Sequence, residues 1–220
     1  MSNIVLITAA TSGEMECLDK LHGRLKKGIR KLVTGVGPVS TVYAIMSYLA
    51  GNDKPGMLIN IGIAGSYRKD LNPGSVIVPL SDCFADLGIC DGSSFIPLKR
   101  AGIDIHDDFT PSGSYYAHRA IVESTGSGLR TVKGITVSTA TGSDAVREAL
   151  ASEYNPDIES MEGAASYYVC NKEGIPCVGI RAVSNMVGPR DKSSWDVNLA
   201  LKNLSQAMDK YFKHILYENT

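Results

Sequence analysis

The sequence predicts an α/β fold: one three-layer αβα domain over residues 1–220, built on a mostly parallel, twisted mixed central sheet. Three observations lead there. Short apolar, β-branched runs alternate with helical patterns, and that alternation builds parallel sheets covered by helices. Runs such as "GMLINIGIAG" are apolar at nearly every position, as strands buried on both faces are. No repeat, low-complexity tract or obvious linker interrupts the 220 residues, a length that suits one substantial domain.

The elements follow in order. "NIVLITA" reads as a strand and "GEMECLDKLH" as the helix after it. "KLVTGVG" is a strand. "PVSTVYAIMSYLAG" is a helix with Pro38 at its start and Gly51 at its end, where each residue is favoured. After the buried-type run comes "SVIVPLSDCFADLG", a strand with a bend at Pro79. Residues Gly92 to Ser114 are rich in Gly, Pro, Ser and Asp and read as loop. "YYAHRAIVEST" reads as helix and "TVKGITVSTA" as strand. "SDAVREALASEY" is a helix with its N-cap at Ser143 or Asp144, residue types that cap well. "DIESM" and "PCVGIRAVS" are strands around the helix "GAASYYVCNKEG". In the last segment Val197, Leu201, Leu204, Met208, Tyr211 and Ile215 share one face of a long helix.

Composition narrows the function classes. Hydrophobic residues make up 44%, charged residues 20%, and the net charge is -1. That is ordinary for a globular protein and gives no general attraction to nucleic acid or anionic membranes. The start lacks a basic n-region, and no run is apolar enough to span a bilayer, so a cytoplasmic location is expected. Five cysteines (17, 83, 90, 170 and 177) lie scattered without a C-x-x-C pair, as reduced thiols do. The four histidines are far apart and carry no metal spacing. Neither a metal nor a cofactor is expected.

Ligands of such sheets bind beyond the carboxyl ends of strands. Five such ends collect Gly, Ser, Asn and acidic residues: the loop from Thr11 to Glu14, "GIAGS", "TATGS", "SMEG" and "SNMVGPRD". Glu162 stands out, a charged residue followed by Gly-Ala-Ala. It is either an acidic helix start, favoured by the helix dipole, or a carboxylate facing a cleft with small residues packed behind it.

"DIESMEGAAS" followed by "GIRAVSN", with "GVGPVST", "INIGIAGS" and "GSVIVP" in the same order, resembles the nucleoside phosphorylase and nucleosidase superfamily. The layout is similar to methylthioadenosine/adenosylhomocysteine nucleosidases. "TAATSGE", "FADLGI", "TVSTATG" and "RAVSNMVGPRDKSSWD" look closer to futalosine hydrolases of the alternative menaquinone pathway. The resemblance implies hydrolysis of an N-ribosidic bond, releasing hypoxanthine from a nucleoside with a carboxylated aryl group at its 5′ end. The expected partner is thus a small-molecule purine nucleoside, and the expected state a homodimer or larger homo-oligomer.

It also implies roles. Glu162 takes the ribose 2′ and 3′ hydroxyls through charge-assisted hydrogen bonds, beside Ser160 and with Met161 packed on the sugar. Glu14 activates the attacking water, as general bases do; Glu16, two residues on, offers the same group. Asn185 stands where adenine-specific relatives have a catalytic Asp. An amide matches a 6-oxopurine but cannot donate a proton as an acid. Trp195 covers the ribose or aryl group, or anchors the last helix. Arg190 clamps a substrate carboxylate, or pairs with Asp191 at the surface. Arg181, in a strand, needs a partner if buried.

Two departures bear on the nucleophile. The first loop has no Arg, and Ile63 stands where a phosphorylase has Ser in "GIAG". Both favour water over phosphate. An adenine-type nucleosidase, an inosine-type phosphorylase and a non-catalytic nucleoside binder remain as rivals. "GVGPVS" as a dinucleotide-binding loop lacks the third glycine of the fingerprint.

Overall fold

The computed structural model describes residues 2–19, 28–92, 94–102, 113–124 and 128–217. Strand β1 (Val5–Ala9) runs parallel to β2 (Ile29–Val33) on one side and to β3 (Met57–Ser66) on the other. Along these strands successive residues divide between two cores. Leu6 and Leu58 pack with one cluster, Ile7 and Ile59 with the other. The alternation of side chains across a strand explains why both parities are apolar and the runs look continuous.

Helix α1 (Ser12–Glu16) and the long α6 (Val197–Tyr217) lie on one face. Helices α2 (Pro38–Gly51) and α5 (Gly163–Glu173) lie on the other. Of the face predicted for α6, Leu204, Met208 and Tyr211 are buried, joined by Ala200 and Phe212; the side chain of Ile215 lies outside the described residues.

The sheet does not stay open. β3 pairs in parallel with β10 (Cys177–Met186), and β10 pairs antiparallel with β4 (Val76–Cys83). β4 then pairs with β8 (Arg130–Thr136), and β8 with β9 (Ile158–Ser160). β9 returns antiparallel to the end of β3, with Gly65 facing Glu159. Five strands therefore close a ring, and β1 and β2 extend from it as a wing. A twisted, mixed sheet was expected; the ring was not.

One side chain works at the seam. Arg181 pairs with Ile77 in the β10–β4 register, so Gly179 faces Pro79 two residues along. Those two do not bond directly. The Tyr167 hydroxyl stands between them, donating to the Pro79 carbonyl and accepting from the Gly179 N–H at 2.9 Å. A Cβ at Gly179 would sit 2.9 Å from that oxygen, so glycine makes the insertion possible. The bend expected at Pro79 is a register shift between Pro79 and Ser81.

Several expectations are corrected. The stretch read as loop from Gly92 contains strand β6 (Ser94–Pro97), which forms a hairpin with β5 (Gly88–Asp91) just before the stretch, and a short 3-10 turn at Leu98–Arg100. Residues 103–112 of that stretch lie outside the described residues. Tyr115 and Tyr116, read as helical, belong to strand β7 (Ser114–Tyr116), which pairs with β4; helix α3 begins at Arg119 and ends at Ser124. Pairing at the sheet edge overrides local propensity there. Helix α1 ends at Glu16, short of the predicted Lys20–His22, which lie outside the described residues. Helix α4 (Asp144–Tyr154) begins as expected, with Ser143 Oγ accepting from the Val146 N–H. Among the described residues no helix is long and apolar enough to cross a membrane.

Removing the Tyr167 hydroxyl strands a buried N–H and a buried carbonyl, which typically costs about 1–3 kcal/mol. Tyr167→Phe is expected to lose that much unfolding free energy in denaturant with an unchanged slope. A loss below a few tenths would show that the seam closes on its own.

Candidate active site

The strand ends converge on a cavity of about 380 Å3. Glu14, Ile63, Ser160, Met161, Glu162, Asn185, Arg190 and Trp195, the eight residues singled out from sequence, all line it.

Glu14 sits in the first turn of α1, in a capping box. Thr11 Oγ1 accepts from the Glu14 N–H at 3.2 Å, while Glu14 Oε2 accepts from the Thr11 N–H at 3.0 Å and its hydroxyl at 2.9 Å. The T-x-x-E signature was there to be read. The other oxygen, Oε1, accepts from the Ile63 N–H at 3.0 Å. It lies so close to β3 that a Cβ at Gly62 would stand 2.8 Å away. Glu14 is buried and Glu16 exposed, and only Glu14 opens into this cavity. Ile63, which stands where a phosphorylase has Ser, lines the cavity and also acts through its backbone.

Glu162 is the residue before α5, and its side chain caps nothing. Instead Oε1 accepts from the Gly37 N–H at 2.9 Å, at the start of α2. Gly37 reaches that position with φ 91°, which glycine adopts without strain. Burial pushes the Glu162 carboxyl above its ordinary range, opposed by the Gly37 N–H and the charge of Arg181.

The small residues after Glu162 have a physical reason. A Cβ at Gly163 would fall 2.1 Å from Asp82 Oδ2 and 3.1 Å from Ser160 Oγ. Asp82 is buried beneath the start of α5. Its Oδ1 accepts from Thr136 Oγ1 at 2.9 Å, and that hydroxyl oxygen accepts from the Ala164 N–H at 2.8 Å. Oδ2 has no hydrogen-bond partner among the described residues.

On the opposite wall, β10 carries a bulge between Val183 and Asn185. It turns both Ser184 and Asn185 toward the cavity, as bulges beside binding sites do. Asn185 Oδ1 accepts from Ser184 Oγ at 2.8 Å, and Nδ2 donates to the Met186 carbonyl at 2.9 Å. Among the described residues, one amide hydrogen and one lone pair remain free. Arg190 stacks over Trp195, with its guanidinium carbon 5.5 Å from the ring centroid. Asp191, the alternative partner of Arg190, accepts from the backbone N–H and hydroxyl of Ser193 instead.

Sequence reasoning gave no role to Glu159, Tyr67 or Thr141, although Thr141 lies in the strand end "TATGS". Glu159 is buried against the cavity and accepts from both Thr141 and Tyr67. No motif marks this cluster; it forms only when β9 closes on β3.

The family model described as the phosphorylase superfamily matches residues 19–216. The chain belongs to the phosphorylase superfamily. Among curated relatives of this superfamily member, a futalosine hydrolase of Streptomyces coelicolor is 34% identical over 86% of this chain and 80% of its own length. A futalosine hydrolase of Thermus thermophilus is 29% identical over 82% and 80%. A solved futalosine hydrolase of Helicobacter pylori superposes with a TM-score of 0.79, covering 99% of each chain at 19% identity, and so shares the fold. The expected superfamily architecture and the N-glycosyl hydrolase class both stand.

Asp82 gives the site a pH-dependent foundation. Burial pushes its carboxyl up to about 7, against the Thr136 hydrogen bond and the charge of Arg181, which pull it down. In the unfolded chain it titrates near 4. The folded state thus holds the proton more tightly, and this contribution to stability is full below about pH 4 and lost as pH rises through about 7. Asp82→Asn carries no such proton. The melting temperature of the parent minus that of the variant is expected to fall from pH 4 to pH 7 and then level off. A difference independent of pH would put the Asp82 carboxyl in the ordinary range.

Proposed function

We propose that this cavity hydrolyses the N-ribosidic bond of futalosine, giving hypoxanthine and dehypoxanthine futalosine, a step of menaquinone synthesis. One observation carries the reading: Glu14, Glu162 and Asn185, from three different strand ends, open onto one cavity. The futalosine hydrolases among its relatives support the choice of substrate.

The roles follow from what each group has left to offer. Glu162 has Oε1 tied to Gly37, so Oε2 takes the ribose hydroxyls. It also sets negative charge beside a ribosyl group becoming cationic. Glu14, fixed by three donors, takes a proton from water as the water oxygen bonds C1′. The C1′–N9 bond breaks, and its electron pair leaves with the base. Asn185 cannot protonate that base, so it stabilises it by donating to N7 or O6, and solvent supplies the proton. Trp195 and Arg190 stand at the 5′ side, where an aryl carboxylate meets a ring and a cation.

A cytoplasmic homodimer or larger assembly fits an exposed apolar stripe. Val36, Val39, Tyr43 and Met46 recur at helical spacing, on α2 and just before it, and are exposed. Val36 also lines the cavity. Sedimentation of the free chain as a monomer at micromolar concentration would remove this part.

The decisive assay incubates the protein with futalosine, inosine and methylthioadenosine, with and without phosphate. Free hypoxanthine from futalosine at a rate indifferent to phosphate is expected; ribose 1-phosphate or a preference for methylthioadenosine overturns the reading. In the same assay Glu14→Gln is expected to lower kcat by about 100-fold or more with KM little changed. Glu162→Gln is expected to damage both, because a ribose clamp acts in ground and transition states. Equal effects of the two variants on KM would reverse these roles.

A further inference from the structure

We propose that Glu159 selects a 6-oxopurine by accepting the N1–H of the base, opposite Asn185. The proposal rests on the purine nucleoside reading of the cavity and names the residue that reads the far edge of the ring.

The sheet register places the two groups. Glu159 faces Gly65 across the antiparallel β3–β9 pair, and Asn185 faces the same Gly65 across the parallel β3–β10 pair. Directly paired residues project to the same face of a sheet. All three line the cavity. Carboxylate and amide thus stand in one row, two strand spacings or about 10 Å apart at the backbone, with no side chain between them. Glycine keeps that slot open. A Cβ at Gly65 would meet Val187 Cγ2 at 2.7 Å and Asn185 Nδ2 at 3.4 Å.

Among the described residues, the hydrogen bonds leave Glu159 one free acceptor position. Its Oε1 accepts from the Thr141 N–H at 2.9 Å; its Oε2 accepts from the Thr141 hydroxyl at 2.6 Å and the Tyr67 hydroxyl at 3.1 Å. A carboxylate has about four lone-pair sites, so the vacant one is on Oε1. Tyr67 remains a donor, because burial and then the Glu159 charge push its titration upward. All three donors are neutral. They fix the carboxylate in place without matching its charge, and a further donor completes the set.

A 6-oxopurine supplies that donor. It carries N1–H beside the C6 carbonyl, whereas a 6-aminopurine presents a lone pair at N1. Glu159 accepts from the first and repels the second. At the other end of the same edge, Asn185 donates to O6 or N7. A site built to accept N–H rejects a ligand without one, because the buried acceptor is then unmatched.

The test uses free bases, so it does not depend on the reaction. Hypoxanthine, 1-methylhypoxanthine and adenine are titrated calorimetrically into the full chain, parent and Glu159→Gln. The parent is expected to bind hypoxanthine on the order of 10- to 100-fold more tightly than the other two. In the variant the ratio of hypoxanthine to adenine is expected to fall by about tenfold or more, since an amide can turn and donate to N1 of adenine. No measurable hypoxanthine binding, or 1-methylhypoxanthine bound as well as hypoxanthine by the parent, overturns the proposal. So does a variant that weakens all three bases alike, which makes Glu159 only a tie for Thr141. The methylated probe needs no variant, so a misfolded Glu159→Gln leaves the question answerable. If the base preference holds but futalosine is not cleaved, the assigned reaction fails and Glu159 stands. If futalosine is cleaved but the preference is absent, the reverse is true.

Discussion

A single buried cation underlies the site. Arg181 is 1% exposed in the middle of β10, and among the described residues no carboxylate forms an ion pair with it. Its guanidinium donates to the Asn60 carbonyl at 2.8 Å and to the Asn60 side-chain oxygen, while Asn60 Nδ2 donates to Thr8 Oγ1 at 2.9 Å. That chain crosses β10, β3 and β1 beneath the cavity. Burying a lone charge is costly. The balance comes at longer range from Glu162 and, once its proton is lost, from Asp82; Arg181 draws both carboxyls downward against the effect of burial. Glu14 and Arg181 also converge on the bare face of Gly62. The acidic groups and the arginine therefore depend on each other, and the polar layer behaves as one unit.

Backbone geometry places each carboxylate. Glu14 is held by Ile63, Glu162 by Gly37 and Glu159 by Thr141, all through main-chain N–H groups. A main-chain donor moves only with its strand or helix, so these acids inherit the rigidity of the sheet. Glycine recurs wherever a carboxylate or hydroxyl must approach main chain: Gly62 against Glu14, Gly163 against Asp82, Gly179 against Tyr167. The Gly-Ala-Ala run after Glu162 belongs to this scheme. It lets α5 settle on Asp82 and Ser160, which brings Glu162 within reach of α2.

What could be read from sequence follows the range of the interactions. Strand-helix alternation, the Pro38 start of α2 and the Ser143 cap of α4 are local, and they appear as expected. Glu14, Glu162 and Asn185 sit in motifs at strand ends, so their convergence was legible too. Tyr115 and Tyr116 were read as helix because their strand character comes from pairing with β4, some thirty residues earlier in the chain. Glu159 was invisible for a similar reason. Its neighbours Thr141 and Tyr67 come from β8 and β3 ends that meet only on closure of the ring. Asp82, in an apolar strand, showed no sign that a helix start would rest on it.

The charge balance also bears on the nucleophile. Three carboxyl-bearing residues line the cavity, Glu14, Glu159 and Glu162, against one arginine, Arg190, which is exposed and stacked on Trp195. Arg181 lies below the lining, already engaged with Asn60. Two like charges about 5–7 Å apart repel by about 2–3 kcal/mol at an effective dielectric near 20. A phosphate ion entering beside Glu14 would meet that repulsion from more than one side, with no cation in the first loop to offset it. Water would enter without such a cost, and in the proposed reaction Glu14 would take its proton. The same field would favour positive charge developing on the ribosyl ring that the proposed reaction places at Glu162. Acidic lining and missing phosphate ligands thus express one electrostatic choice, which suits hydrolysis and opposes phosphorolysis.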